Sequence, residues 1–412
     1  MSLAEVPALL ILAGLAAYLA LAGADFGAGF WDLTSRVSGG RTVREHTQHA
    51  MGPVWEANHV WLIFVLVICW TAYPTAFASI FSTLAAPLLL AAIGIILRGT
   101  SYAVRGAGES AGAWAVFSLS SIATPFALGA AIGSIASGRV PPGNAQGDLI
   151  ASWLNPMGIV IGVLAIATSA YLAAVYLAGD AERIGSPSLV RAFRARALGA
   201  GIAAGAVAAA GLVVVALDVP QLFDGLTSGG GLAAVVVSAI GGVATLAFVW
   251  RSRYRPARFS AAVAVAAIVA GWGLAQAPQL LPGLSVQQAA AGDETLIALL
   301  VGVAVGFAVL VPSLVLLFGL VLTGRFDEGS SPTAGVGPAA EGGAGAVVAE
   351  LQPARARGRA ALTLGLVVVG VPLTLFASGV LFTLGVVSML AFVGAALVLL
   401  VSPTTLARPD QH

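Results

Sequence analysis

Asp25, Glu56, His59 and Arg98 are the residues of this chain whose types and settings could do chemistry. Each is ionisable, and each sits in or beside a long apolar run. Asp25 lies in Gly23-Ala24-Asp25-Phe26-Gly27-Ala28-Gly29, and apolar residues continue through Phe30 and Trp31. Gly23 and Gly27, four apart, permit close contact with another helix. Ionisable groups inside a membrane are costly and usually functional, so Asp25 is expected to face other helices. An acid in a dry setting holds its proton more readily than in water, which suits a relay. The plainer alternative is an acid that merely ends a span among headgroups.

Glu56-Ala57-Asn58-His59 follows Gly52-Pro53-Val54-Trp55 at the start of the next apolar run. Glu56 and His59, three apart, share a helical face. Such Glu-x-x-His pairs also occur in di-iron bundles. Those need a second copy, which this sequence lacks, so no metal site is expected. Glu56 also suits the first turn of a helix, where the dipole favours an acid. Asn58 suits hydrogen bonding between helices, and Trp55 and Trp61 suit anchoring at a membrane interface. Arg98 ends the third apolar run. Counting along the runs places Asp25, Glu56 and Arg98 at one depth, which predicts a carboxylate–guanidinium cluster. A snorkelling arginine is the alternative. In Trp153-Leu154-Asn155-Pro156, Asn155 suits a helix N-cap and Pro156 the first helical position.

The histidines are His46, His49, His59 and His412, and only His59 falls within an apolar span. Holding a haem between two histidines needs ligands on facing spans, so this chain is not expected to ligate one alone. Met157 and Met389 read as packing residues. The single cysteine, Cys69, excludes an internal disulfide or an iron–sulfur or zinc cluster built by this chain alone. A net charge of +1 excludes a strong field for nucleic acid. A glycine-rich run at 225–231 lacks the Lys-Ser/Thr of a phosphate loop and reads as an external loop.

The elements that must position these residues are membrane helices. Of 412 residues, 59% are hydrophobic and 9% charged, whereas a soluble domain carries about 25% charged residues. The apolar runs are continuous rather than alternating, which excludes a membrane β-barrel. The class is all-α and polytopic. Hydropathy places nine spans at 4–24, 56–74, 78–98, 113–137, 156–178, 198–217, 231–250, 259–277 and 296–323. A Gly-, Ala-, Pro- and Ser-rich linker occupies 326–358. Beyond it, 359–412 carries an extra apolar tail, read as a helical hairpin. With the N-terminus outside, seventeen of the nineteen arginines fall in cytoplasmic loops or the linker, and Arg139 falls outside. Leu21-Ala22-Gly23-Ala24 looks like a signal-peptide cleavage site. No basic residue precedes the apolar run, however, so the segment is read as the first span.

At these motifs the sequence resembles subunit II of the cytochrome bd-type quinol oxidases. The resemblance rests on GADFGAGFWDL at 23–33, GPVWEANHVWLIF at 52–64, YPTAF at 73–77 and PLLLAAIGIILRGTSYAVR at 87–105. It extends more weakly through TPFALGAAIGSIASG at 124–138, WLNP at 153–156 and the region 171–180, and covers about residues 1–325. It implies two four-helix bundles plus a peripheral helix, in a heterodimer with a subunit I that carries haem b and haem d. It implies no haem ligands in this chain, and it leaves room for a structural quinone and small accessory subunits. It also implies that Asp25 and Glu56 stand at positions of a proton path from the cytoplasm, in a bacterial plasma membrane. His59 is expected on that path, with Asn58, Arg98 and Trp61 supporting it. The competing class is a proton-coupled secondary transporter. Its usual inverted repeats and midplane acids are not evident here. The linker and tail after residue 325 exceed the usual end of the subunit.

Overall fold

The computed structural model describes residues 2–37, 41–104 and 111–322, which belong to one unit, Met1–Leu322. The linker and tail expected over 326–412 lie outside the described residues, as do the side chains of 48–57.

The long apolar runs form helices because a backbone in lipid must satisfy its own hydrogen bonds. In chain order they are α1 (Glu5–Val37), α2 (Arg41–Ala72), α3 (Pro74–Thr83), α4 (Ala85–Val104), α5 (Ala111–Ala136), α6 (Pro156–Arg183) and α7 (Pro187–Asp218). The short α8 (Pro220–Leu226) leads to α9 (Gly229–Trp250) and α10 (Tyr254–Gln276). A small antiparallel hairpin, β1 (Gln279–Leu281) and β2 (Leu284–Ser285), and α11 (Val286–Ala289) precede α12 (Asp293–Leu322). Seven helices are individually long and apolar enough to cross a membrane. The bent pair α3–α4 makes an eighth if it is one broken span, and the predicted span at 56–74 corresponds to a shorter apolar stretch, Asn58–Ala72.

α1 packs on α2, α5 and α6, and α5 also packs on α4. A second set joins α6 to α7 and α10, and α9 to α7 and α10. Contact between α1 and α6 links the two four-helix sets, while α12 leans on α2. The closeness of α1 and α6 depends on glycine. A Cβ added at Gly27 would lie 1.9 Å from the Ser169 carbonyl oxygen, and one at Gly23 would lie 2.8 Å from Leu172 Cδ1.

Three expected boundaries differ. The span at 78–98 is not one helix, because α3 and α4 bend by 83° between Thr83 and Ala85. Pro87 has no N–H for the Thr83 carbonyl, so a continuous helix would lack a bond there. The second helix begins at Arg41, which puts Glu56 in its interior. The dipole reading of Glu56 as a first-turn acid therefore fails. The glycine-rich run at 225–231 is a junction between two helices rather than an open loop. A Cβ at Gly231 would lie 2.1 Å from the Gly225 carbonyl oxygen. Asn155 does cap α6, accepting the Gly158 N–H at 2.9 Å, with Pro156 at the first helical position.

Candidate functional site

One face of α1 carries Tyr18, Ala22, Asp25, Gly29 and Asp32, spaced by four, three, four and three residues. That spacing keeps them in one line along a helix. All five are buried. Asp25 stands in the middle of this line, well inside α1 rather than at its end.

Arg98 of α4 reaches across to it. Its Nε donates to Asp25 Oδ2 at 2.9 Å, and its Nη2 donates to Oδ1 at 2.6 Å. Nη2 also donates to the Asp25 backbone carbonyl at 2.5 Å. Nη1 donates to Ser121 Oγ of α5. From α2, Asn58 Nδ2 donates to Asp25 Oδ2 in a long contact of 3.4 Å. The Arg98 guanidinium lies 5.3 Å from the centroid of the Phe26 ring. The side chains of Asp25 and Arg98 are 0% and 1% exposed, so the pair is dry. Four helices thus converge on one bidentate ion pair, the geometry in which a guanidinium binds a carboxylate best.

Local sequence makes room for it. A Cβ at Gly29 would lie 1.9 Å from Ser121 Oγ and 2.9 Å from Arg98 Nη1, so only glycine fits. A Cβ at Gly94, one turn before Arg98, would lie 2.0 Å from Thr124 Oγ1. Ser118, Ser121 and Thr124 of α5 are buried at helical spacing and give this apolar helix a hydroxyl-lined face. Trp61 and Leu62 pack around Tyr18, Ala22 and Phe26 beside the pair.

The expected cluster is therefore present for Asp25 and Arg98, and its α2 member among the described side chains is Asn58. Glu56 belongs to α2 by its backbone, and its side chain lies outside the described residues. Two residues along a helix turn it by about 200°, so the Glu56 position is on the side of α2 away from Asn58. It falls instead in register with Val60, Ile63, Val67 and Trp70, the exposed apolar stripe of α2. His59 is half-buried. Trp61 sits 6.0 Å from Phe64 in an edge-on ring contact, so it packs rather than anchors alone.

Ser121 and Asp32 were not singled out from the sequence. Asp32 is signalled by its seven-residue spacing from Asp25, and Ser121 by the hydroxyl-rich run 118–124 in an otherwise apolar helix. Elsewhere, Asp180 pairs with Arg258 at 3.0 Å and with Arg183 at 3.2 Å at the rim of the second helix set.

The family profile described as cytochrome bd terminal oxidase subunit II matches residues 3–321. The chain belongs to that family. Among solved structures, it is similar to a chain of the bd oxidase from Geobacillus thermodenitrificans, with a TM-score of 0.62 and 23% identity. The match covers 78% of this chain and 99% of that one, and it supports the fold. A comparison with curated proteins gives no match. The chain is thus a subunit of a terminal oxidase and a multi-pass membrane protein. His46, His49 and His59 all lie on α2. His46 Nε2 lies 3.2 Å from the Leu177 carbonyl. Among the described residues, no three of His, Cys, Asp and Glu gather into a metal site.

Proposed function

We propose that this chain is the non-haem subunit of a cytochrome bd-type quinol:oxygen oxidoreductase in a bacterial plasma membrane. It pairs with a haem-bearing subunit I, and it carries protons from the cytoplasmic face toward the site where oxygen is reduced. Reduction of oxygen to water consumes protons. If they come from one side of the membrane only, charge crosses without a pump.

The observation that carries this reading is the register of Glu56 with the exposed apolar stripe of α2. Leu89, Ile93 and Ile96 of α4 are exposed apolar residues as well. A surface of this kind faces lipid or a second subunit. With subunit I seated there, an acid at the arginine-rich end of the stripe stands between cytoplasmic water and the partner. Glu56 and His59 are then the exchanging groups. Asp25 contributes differently, because both of its carboxylate oxygens already accept from Arg98. To take up a proton it would have to surrender one of those bonds. The Asp25–Arg98 pair therefore acts in this path as a fixed element that holds α1, α4 and α5 in place beside α2.

The test is Glu56→Gln in the purified complex. Steady-state quinol-driven oxygen uptake is expected to fall at least about tenfold, below the ~10²–10⁴ typical of acid–base groups. Haem content should be unchanged, and Glu56→Asp should retain more activity. A fully haem-loaded Glu56→Gln complex turning over at the wild-type rate would remove Glu56 from the path.

A further inference from the structure

The arginine-rich end of the second helix set carries a feature that the proton path does not use. Between α7 and α9 lies a groove of about 370 Å³ lined by Leu198, Ile202, Val243, Leu246, Ala247 and Trp250. Its walls are wholly apolar, and Ile202, Val243 and Trp250 are 64%, 67% and 67% exposed. The close approach of the two helices depends on Gly201, where a Cβ would lie 2.7 Å from Leu246 Cδ2. From Trp250 to Val243 the groove runs seven residues, about 10 Å along α9, the length of the first half of an acyl chain.

The mouth of this groove is cationic. Arg194 of α7 lies one turn above Leu198. Its guanidinium sits 5.6 Å from the centroid of the Trp250 ring and donates to the Trp250 carbonyl at the end of α9. Those contacts fix the group and leave further N–H donors, since a guanidinium has five. Arg191 and Arg251 flank it and are exposed. Eight arginines fall in the segments 183–196 and 251–258 that meet at this end, against Asp180 and Glu182. Asp180 is already engaged by Arg183 and Arg258.

We infer that this groove is a specific site for an anionic phospholipid. One acyl chain lies between α7 and α9, and the phosphate is held at Arg194 with Arg191 and Arg251. Apolar walls under a cluster of arginines match a molecule with a long tail and a negative head. An uncharged isoprenoid would satisfy the groove and leave the arginines without a counterion. A free phosphate would satisfy the arginines and leave the groove empty. The inference rests on the membrane setting of the chain and is independent of Glu56.

The experiment is native mass spectrometry of the detergent-purified complex, delipidated and then titrated with dioleoyl phosphatidylglycerol or dioleoyl phosphatidylcholine. Wild type should retain one phosphatidylglycerol more tightly than any phosphatidylcholine. Arg194→Gln should weaken that retention about fivefold, as expected for loss of one basic contact, and leave phosphatidylcholine unchanged. Ile202→Trp, or Val243→Trp if the first variant does not assemble, should fill the groove and abolish the preferred site. Equal retention of the two lipids by wild type, or unchanged retention in both the Arg194 and groove variants, would overturn the assignment. So would competition by glycerol 3-phosphate at equal concentration, which would mean a phosphate site without a tail. Displacement of the lipid by an uncharged quinone would overturn it as well.

Discussion

Asp25 and Arg98 form a bidentate ion pair, and both are sealed from solvent. Removing one member of such a pair leaves a buried charge uncompensated, at a cost of about 3–5 kcal/mol. Asp25→Asn and Arg98→Gln should each lower the unfolding temperature of the purified complex and reduce its haem recovery. Joining Asp25→Asn with Arg98→Met removes both charges, so the double variant should recover part of that loss. A double variant no more stable than the singles would show that the pair is not coupled in this way. The contrast with Glu56→Gln is diagnostic. Loss of the Glu56 acid should slow turnover at full stability, whereas loss of Asp25 should lower turnover and stability together.

At the scale of elements, α1 is the hub of the described unit because it is buried on two faces. One face carries Asp25 and Gly29 toward α4 and α5, and the other carries Gly23 and Gly27 toward α6. Gly27→Ala would drive a Cβ into the Ser169 backbone, where nothing flexible can yield. Overpacking of this kind costs about 1–3 kcal/mol. The expected outcome is a lower unfolding temperature and loss of the monodisperse peak in size-exclusion chromatography. Gly242→Ala in α9, where a Cβ would meet nothing within 4 Å, should behave as wild type.

The connection from α5 to α6 is organised by Asp148. Its carboxylate accepts the N–H groups of Ile150 at 2.8 Å and Ala151 at 2.6 Å. Those two bonds hold the Asp148 carboxyl below its ordinary value of 3.8. A carboxylate depressed by folding contributes order that is fully present above its unfolded value. That order is lost as pH falls through the lower folded value. Hydrogen exchange at Ile150 and Ala151 should therefore accelerate, relative to neighbouring amides, only below about pH 4. Asp148→Asn should show the faster exchange at neutral pH already.

For the molecule as a whole, the ends of α7 differ in charge. Arg191, Arg194 and Arg196 lie at its start, while Asp218 at its finish pairs with Arg139 at 2.9 Å. With arginine retained on the cytoplasmic side, the orientation we propose has the N-terminus outside and the 326–358 segment inside. A cysteine placed at Ser330 in a Cys69→Ala background should react with a membrane-impermeant maleimide in inverted vesicles and not in intact spheroplasts. Labelling confined to spheroplasts would reverse the orientation.

The order of the apolar segments, their charge asymmetry and the meeting of Asp25 with Arg98 were legible in the sequence. Hydropathy is a local sum, and seven of the nine apolar runs are single helices long enough to cross a membrane. A carboxylate and a guanidinium at one depth in neighbouring helices have no cheaper arrangement than each other. What the tertiary structure decided is which face each helix presents. Glu56 and Asn58 are two residues apart in the sequence, and only packing showed that Asn58 turns toward Asp25 while the Glu56 position falls on the outer stripe. The hydroxyl of Ser121, the bend between α3 and α4 and the groove beside Arg194 were likewise beyond reach of the sequence. Each depends on residues from different helices coming within a few ångströms, and that is set by how the helices pack, not by the run of residues along any one of them.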